Sequence, residues 1–199
     1  MKGVREQYIE RYEKILPSIV KDINDDIMEI LDNFERIDRV SVRPKSVDKF
    51  FNKANKKNDD GSLKYTDPLS QIQDQIGARI ICFYLQDVQP ISDEISKNYH
   101  SIEEVDLIPE SENEFGYFGK HFVFSIPPNF VNKYQEPPTL FELQIKTLYQ
   151  HAWSEANHDL AYKAEKSLTT DQKRKIAFTA AQSWGADQIF KELFGDLSN

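Results

Sequence analysis

The sequence predicts an α+β fold, a mixed sheet flanked by helices, and three observations carry that expectation. Tyr8, Tyr12, Ile15, Ile19, Ile23, Ile27, Ile30 and Phe34 recur every three or four positions across residues 4–37, the period of an amphipathic helix. Residues 78–84, ARIICFY, form a short apolar run whose β-branched and aromatic content favours a buried strand. Residues 140–146 alternate: Phe141, Leu143 and Ile145 share one face, while Leu140, Glu142, Gln144 and Lys146 share the other. Helical and strand segments interleave irregularly along the chain, as in a sheet covered by helices.

The remaining elements follow in order. Pro17 interrupts the first helical pattern and is expected to kink or split it. Residues 39–42 read as a short strand and residues 46–57 as a basic helix with Phe50, Phe51 and Ala54 as its apolar contacts. Asp67-Pro68 opens a short helix, with Asp as cap and Pro in the first turn. Residues 88–99 read as helix, 105–108 as a weak strand, 109–115 as an acidic loop and 117–126 as a strand. A loop over 129–138, with Pro137-Pro138 as a brake, leads into the alternating strand. Thr147 suits a helix N-cap, and a last helix is capped within 167–170 and runs to about Phe194. We read the chain as one domain, with a helical part over 1–38, a core over 39–164 and a terminal helix over 165–199.

Composition narrows the function classes. With 39% hydrophobic and 12% aromatic residues, the 199-residue chain can bury a core. A net charge of −8 argues against non-specific nucleic-acid binding, though not against a local basic patch. Cys82 is the sole cysteine, so no disulfide can form within the chain, which suits a reducing, cytoplasmic setting. The first residues lack the apolar core of a signal peptide, and no stretch is apolar enough to span a membrane.

Four clusters carry candidate chemistry. Arg43, Lys45, Lys49 and Lys53 concentrate positive charge, and the lysines, four apart, are expected on one helical face. Lysine as a point charge and arginine as a planar fork suit a polyphosphate, although a solvated basic face would show the same run. Asp74-Gln-Ile-Gly77-Ala-Arg79 leads into the apolar strand, where Asp74 could hold Mg²⁺ or simply pair with Arg79. Gly116-Tyr117-Phe118-Gly119-Lys120-His121 offers an aromatic beside glycines, suited to base stacking or to a packed hairpin bend. Glu142 could accept a proton or bind metal, with Gln144 and Lys146 alongside, and His151, Glu155 and His158 share one face of the following helix. Glu155-x-x-His158 has the spacing of a bundle metal site but lacks the second pair such sites need.

In their order and spacing these pieces resemble the synthetase domain of the RelA/SpoT family, especially the stand-alone small alarmone synthetases. The resemblance rests on Arg43-x-Lys45 with Lys53, Asp74-x-x-Gly77-x-Arg79, Gly116-Tyr117 with His121, Glu142-x-Gln144-Ile-Lys146-Thr, and His151-Ala-Trp153-x-Glu155 with His158. Each motif alone is weak, but several in order are specific, because independent false matches multiply. The resemblance implies a sheet of about five strands in a nucleotidyltransferase-like core, without a preceding hydrolase domain. It implies transfer of pyrophosphate from ATP to the 3′-hydroxyl of GDP or GTP, giving (p)ppGpp. Arg43 and Arg79 would sandwich adenine, Lys45 and Lys53 would hold the ATP phosphates, with Lys49, where the family usually has a serine, making the cradle more basic, and Asp74 and Glu142 would carry Mg²⁺. Glu142 would also activate the attacking hydroxyl. Tyr117 would stack on the acceptor base, with Lys120, His121, Gln144 and Lys146 around the acceptor and its phosphates. His151, Glu155 and His158 would brace the site.

The chain departs from the family's usual pattern mostly on the acceptor side. Phe118-Gly119-Lys120 stands where Arg-Ser-x is usual, and Lys146 stands for an arginine. Two further readings therefore stand beside alarmone synthesis. Toxin-type relatives modify adenine nucleotides or the 3′ end of tRNA, which would bring an antitoxin partner. An inactive nucleotide sensor is the third reading, against which the retained Asp74 and Glu142 argue. Relatives often assemble through terminal helices, so a homo-oligomer is also expected.

Overall fold

The computed structural model describes residues 3–106, 116–117, 119–163 and 168–197, with side chains left aside at 106 and 161–163. Five strands, β1 (Ile37–Pro44), β2 (Ile76–Cys82), β3 (Ser101–Asp106), β4 (Lys120–Ser125) and β5 (Leu140–Thr147), form one sheet in the order β1-β2-β5-β4-β3. The central β2–β5 pair is parallel and the other three pairs are antiparallel. This is the mixed, helix-flanked sheet the sequence predicts.

Alternation gives the sheet two unlike faces. Ile76, Ala78, Ile80 and Cys82 of β2, Phe122 and Phe124 of β4, and Phe141, Leu143 and Ile145 of β5 are all buried in one core. Helices α1 (Val4–Lys14) and α2 (Leu16–Ile30) contribute Tyr8, Leu16, Ile19, Ile23 and Ile27 to it. Helix α5 (Leu85–Asn98) adds Ile91 and Ile95. The short α3 (Val47–Ala54) brings Phe50, which stacks on Tyr8 with ring centroids 3.6 Å apart. The short α4 (Pro68–Gln71) and α6 (Pro128–Val131) line the connections. On the other face, α7 (Leu148–Lys163) and α8 (Thr170–Leu197) enclose a smaller cluster of Tyr117, Trp153 and Ala180. No described helix is long and apolar enough to cross a membrane.

Local chemistry explains where several elements begin. The Thr147 hydroxyl accepts from the Gln150 amide at 3.1 Å, while the Gln150 side chain accepts from the Thr147 amide at 2.9 Å. Two otherwise unsatisfied donors are thereby paired reciprocally at the start of α7. Thr169 and Gln172 repeat the device at the start of α8. Pro17 falls in the first turn of α2, where its missing N–H costs nothing, and the break between α1 and α2 is at Ile15.

Element bounds differ from the sequence reading in a few places. The first helical pattern ends at Ile30, seven residues early, and turn-forming Asp32 and Asn33 precede β1. Phe34 still packs on the core, so its place in the helical rhythm was coincidental. Helix α3 is shorter than the basic segment and excludes Lys45, which precedes its Ser46 cap. Strand β4 starts at Lys120, three residues late, and α8 runs on to Leu197. The expected acidic loop 109–115 lies outside the described residues.

Gly119 leads into β4 where backbone and side chain press close. A Cβ there would collide with the Ile145 carbonyl oxygen and sit 2.5 Å from Lys146 Cγ. Gly119→Ala is therefore expected to lower stability by about 1–3 kcal/mol. The check is a urea titration: the midpoint falls while the slope is kept, and an unchanged midpoint would show that β5 yields freely.

Candidate active site

The cleft is built on the sheet face opposite the main core. Because β2 and β5 run parallel, Gly77 lies opposite Glu142, Arg79 opposite Gln144 and Ile81 opposite Lys146. β1 adds Ser41 opposite Arg79 and Arg43 opposite Gly77, and β4 adds His121 opposite Gln144. A cleft of about 290 Å³ opens over this patch, lined by Arg43, Lys45, Lys49 and Arg79 around Asp74, Glu142 and Gln144. Ser41 shares the lining and escaped the sequence reading. Its signal was period two, since it stands two residues before Arg43 on the same strand.

Asp74 sits between two lysines. Lys45 Nζ reaches its Oδ2 at 2.8 Å and Lys53 Nζ its Oδ1 at 3.0 Å. Burial alone would raise the Asp74 carboxyl, but the hydrogen bonds and charges of Lys45 and Lys53 outweigh it and hold the pKa low. Lys45 thus reaches the same carboxylate as Lys53 although it lies outside α3. Lys49 lines the cleft from the exposed side of that helix.

Glu142 faces this group from β5. Its Oε1 accepts from Gln144 Nε2 at 2.7 Å and lies 3.5 Å from His121 Nδ1. Burial pushes His121 below the ordinary histidine range, against the pull of Glu142, so the ring is neutral near pH 7. The buried His121 Nε2 and Gln144 Oε1 have no hydrogen-bond partner among the described residues. Buried polar atoms are rarely left so; Gln144 lines the cleft, and His121 stands opposite it on β4.

Arg79 is held from α7. Its Nη1 donates to Glu155 Oε1 at 2.7 Å and lies 3.2 Å from His151 Nδ1. Burial and the Arg79 charge lower the His151 pKa. Glu155, which burial would raise, is held low by Arg79. His158 is exposed one turn further along. No group of three or more His, Cys, Asp or Glu side chains among the described residues is placed to hold a metal.

Three expected acceptor contacts lie elsewhere. Lys120 is one residue from His121 in β4 and so points to the opposite face, where its Nζ meets Glu104 at 2.8 Å and Gln89 at 3.1 Å. Lys146 is on the cleft face but 4% exposed beneath α7, and its Nζ donates to Ser154 Oγ at 2.9 Å. Tyr117 is 7% exposed in the cluster between α7 and α8, where its hydroxyl donates to Asp187. The Thr147 hydroxyl donates to the same carboxylate at 2.5 Å. Burial raises the Asp187 carboxyl, partly offset by those two hydroxyls. Tyr117 is thus a packed aromatic here, not a platform in the cleft. Cys82 is a buried thiol on the core face of β2, pushed up to about 12 by burial and donating toward the Lys146 carbonyl.

Four cations around two carboxylates, on one face of a mixed sheet, define a site suited to a substrate carrying a phosphate chain. The family follows from comparison: the chain belongs to the RelA/SpoT family, whose model, described as a region found in RelA / SpoT proteins, matches residues 42–167. The chain is 27% identical over 176 residues to the GTP pyrophosphokinase YjbM of Bacillus subtilis strain 168, covering 86% of this chain and 78% of that protein. It is 25% identical over 145 residues to the GTP pyrophosphokinase YwaC of the same organism, covering 71% and 67%. The small alarmone synthetase 1 of Bacillus subtilis, solved with its product pppGpp, superposes with a TM-score of 0.80 at 23% identity, over 97% of this chain and all of the other. That likeness shows the shared fold.

Lys146 gives a test with a definite sign. Burial first, then the Arg79 charge, lowers its amine to about 8, against Glu155 and Glu142. An unfolded lysine titrates at about 10.4, so between these values the unfolded chain binds more protons and stability rises with pH. Relative to Lys146→Met, the wild type is expected to gain roughly 1–3 kcal/mol between about pH 7 and pH 10. Urea midpoints of both proteins across that range check this, and a constant difference would rule out the buried charge.

Proposed function

We propose that the chain transfers the β,γ-pyrophosphate of ATP to the 3′-hydroxyl of GDP or GTP, forming (p)ppGpp and releasing AMP. The observation that carries this reading is the cleft itself: Asp74 between Lys45 and Lys53, with Glu142 across the β2–β5 pair. Lys45, Lys49 and Lys53 supply point charges for a triphosphate, and Arg43 and Arg79 supply planar groups for adenine. Membership of the family and the GTP pyrophosphokinase relatives support the same reading.

In this mechanism the acceptor hydroxyl oxygen attacks the β-phosphorus of ATP. The bond from that phosphorus to the oxygen bridging it to the α-phosphorus breaks, and AMP leaves with that oxygen. Glu142 takes the hydroxyl proton, with Gln144 donating to its Oε1 and fixing its orientation. Pyrophosphoryl transfer depends on positioning and charge neutralisation more than on covalent catalysis, so a cationic cleft with one well-placed base suffices. Asp74 and Glu142, which line the same cleft, are the residues that would hold Mg²⁺. Magnesium commonly takes one or two carboxylates and completes its shell with water and substrate phosphates. When bound, the ion would neutralise charge on the phosphates.

Tyr117, Lys120 and Lys146 lie outside the cleft, and this favours keeping a second acceptor in view, an adenine nucleotide or a tRNA 3′ end. The acidic chain, at −8, speaks against tRNA.

Incubation with γ-labelled ATP, Mg²⁺ and GDP, GTP, AMP, ADP or deacylated tRNA in separate reactions tests the proposal. Label is expected on GDP and GTP. Label on an adenine nucleotide or tRNA alone would replace the acceptor, and label on none would favour a nucleotide sensor. Glu142→Gln is expected to lower turnover at least about 100-fold with the fold intact. Full turnover in that variant would remove Glu142 from the mechanism.

A further inference from the structure

Helix α1 lies wholly before residue 42, where the family match begins. Two of its side chains nevertheless reach residues beside or in the cleft: Tyr8 the Lys45 carbonyl, and Arg11 the side chain of Gln75, the residue after Asp74. Tyr8, fully buried, donates its hydroxyl to the Lys45 carbonyl at 2.7 Å while its ring stacks on Phe50 of α3. The Lys45 amide donates to the Gln75 carbonyl at 2.8 Å. Both main-chain polar groups of Lys45 are therefore fixed, one by α1 and one by the residue following Asp74.

Arg11 fixes the other side. It is 7% exposed, and its Nη1 donates to Gln75 Oε1 at 2.9 Å and to the Leu69 carbonyl at 2.8 Å. Its Nη2 donates to the carbonyl of Glu136, a non-glycine residue at φ 48°. Gln75 Nε2 in turn donates to the carbonyls of Leu69 at 2.8 Å and Ile72 at 3.0 Å. The turn that presents Asp74 is thus tied through one buried guanidinium to α1, to residue 69 and to the loop before β5.

Packing alone would not call for this chemistry. A helix that merely covered a core would do so with apolar side chains, whereas burying an arginine is costly unless its donors are satisfied. Here the fork's bonds go to the Leu69 and Glu136 carbonyls and to the side chain of Gln75, which follows Asp74 and whose carbonyl takes the Lys45 amide. We propose that α1 is a positioning element of the donor site: Tyr8 and Arg11 hold the Lys45 and Asp74 backbones in register, so that phosphate binding by the family core depends on a helix outside it. Neither side chain touches substrate. Both act through Lys45, Gln75 and Asp74. The inference rests on the reading of the cleft as an ATP site.

The test compares full-length wild type with Tyr8→Phe, which keeps the ring stack, and Arg11→Lys, which keeps the charge and loses the fork. Leu16→Ala serves as a control, since it destabilises the same core without touching these bonds. Two quantities are measured: affinity for a non-hydrolysable ATP analogue with Mg²⁺ at a temperature where every variant is folded, and hydrogen exchange of the Lys45 amide without nucleotide. Tyr8→Phe and Arg11→Lys are each expected to weaken binding about fivefold or more and to speed Lys45 exchange, with KM for ATP rising more than kcat falls. Leu16→Ala is expected to lower the melting temperature while leaving affinity unchanged. Wild-type affinity and exchange in both α1 variants would overturn the proposal, as would an equal affinity loss in Leu16→Ala. If one variant fails to fold, the other decides. Should the wild type itself not bind the analogue, the donor-site reading fails on its own, and Lys45 exchange still settles whether α1 fixes that backbone.

Discussion

The parallel pairing of β2 with β5 is the constraint on which the rest of the site depends. It sets Gly77 beside Glu142 and Arg79 beside Gln144, and through β1 and β4 it adds Arg43 and His121 to the same face. Side chains alternate along a strand, so a slip of one residue would send Glu142 and Gln144 into the core and bring Leu143 and Ile145 to the cleft. The buried aromatic and branched side chains on the opposite face make that slip costly, since nearly all are fully inaccessible. Core packing therefore fixes the chemistry of the far face, and Ala78 both belongs to the core and lines the cleft.

Charge organises that face once the register is set. The Lys45–Asp74–Lys53 trio and the Arg79–Glu155 pair hold partly buried cations in place before any substrate binds. A cradle assembled in advance loses less conformational freedom on binding than one built from free lysines. The same pairs keep Asp74 and Glu155 ionised, which preserves the balance of charge in the cleft at neutral pH.

Much of this was legible from the chain. Period-two alternation separated Glu142 and Gln144 from Phe141, Leu143 and Ile145, and the Asp74–Arg79 segment led into a run whose β-branched and aromatic content favoured a buried strand. Lys120 shows where local pattern fails. Whether it or His121 faces the cleft depends on which of them pairs with Gln144, and that is set by β5, more than twenty residues away. Tyr117 shows the same in another form. An aromatic beside glycines suits stacking and packing equally, and Asp187 of α8 and Trp153 of α7 decide between them.

The sequence by itself determined the elements and the face each residue takes within its own strand or helix, because those follow from backbone period, caps and turn residues a few positions apart. It also determined which residues carry charge suited to phosphate. Only the tertiary structure decided which faces meet. Tyr8 and Arg11 look in the sequence like two more positions on an amphipathic helix, and their bonds to Lys45 and Gln75 span 37 and 64 residues. Such contacts depend on the packing of the whole core, which closes the chain on itself and has no local period to announce it.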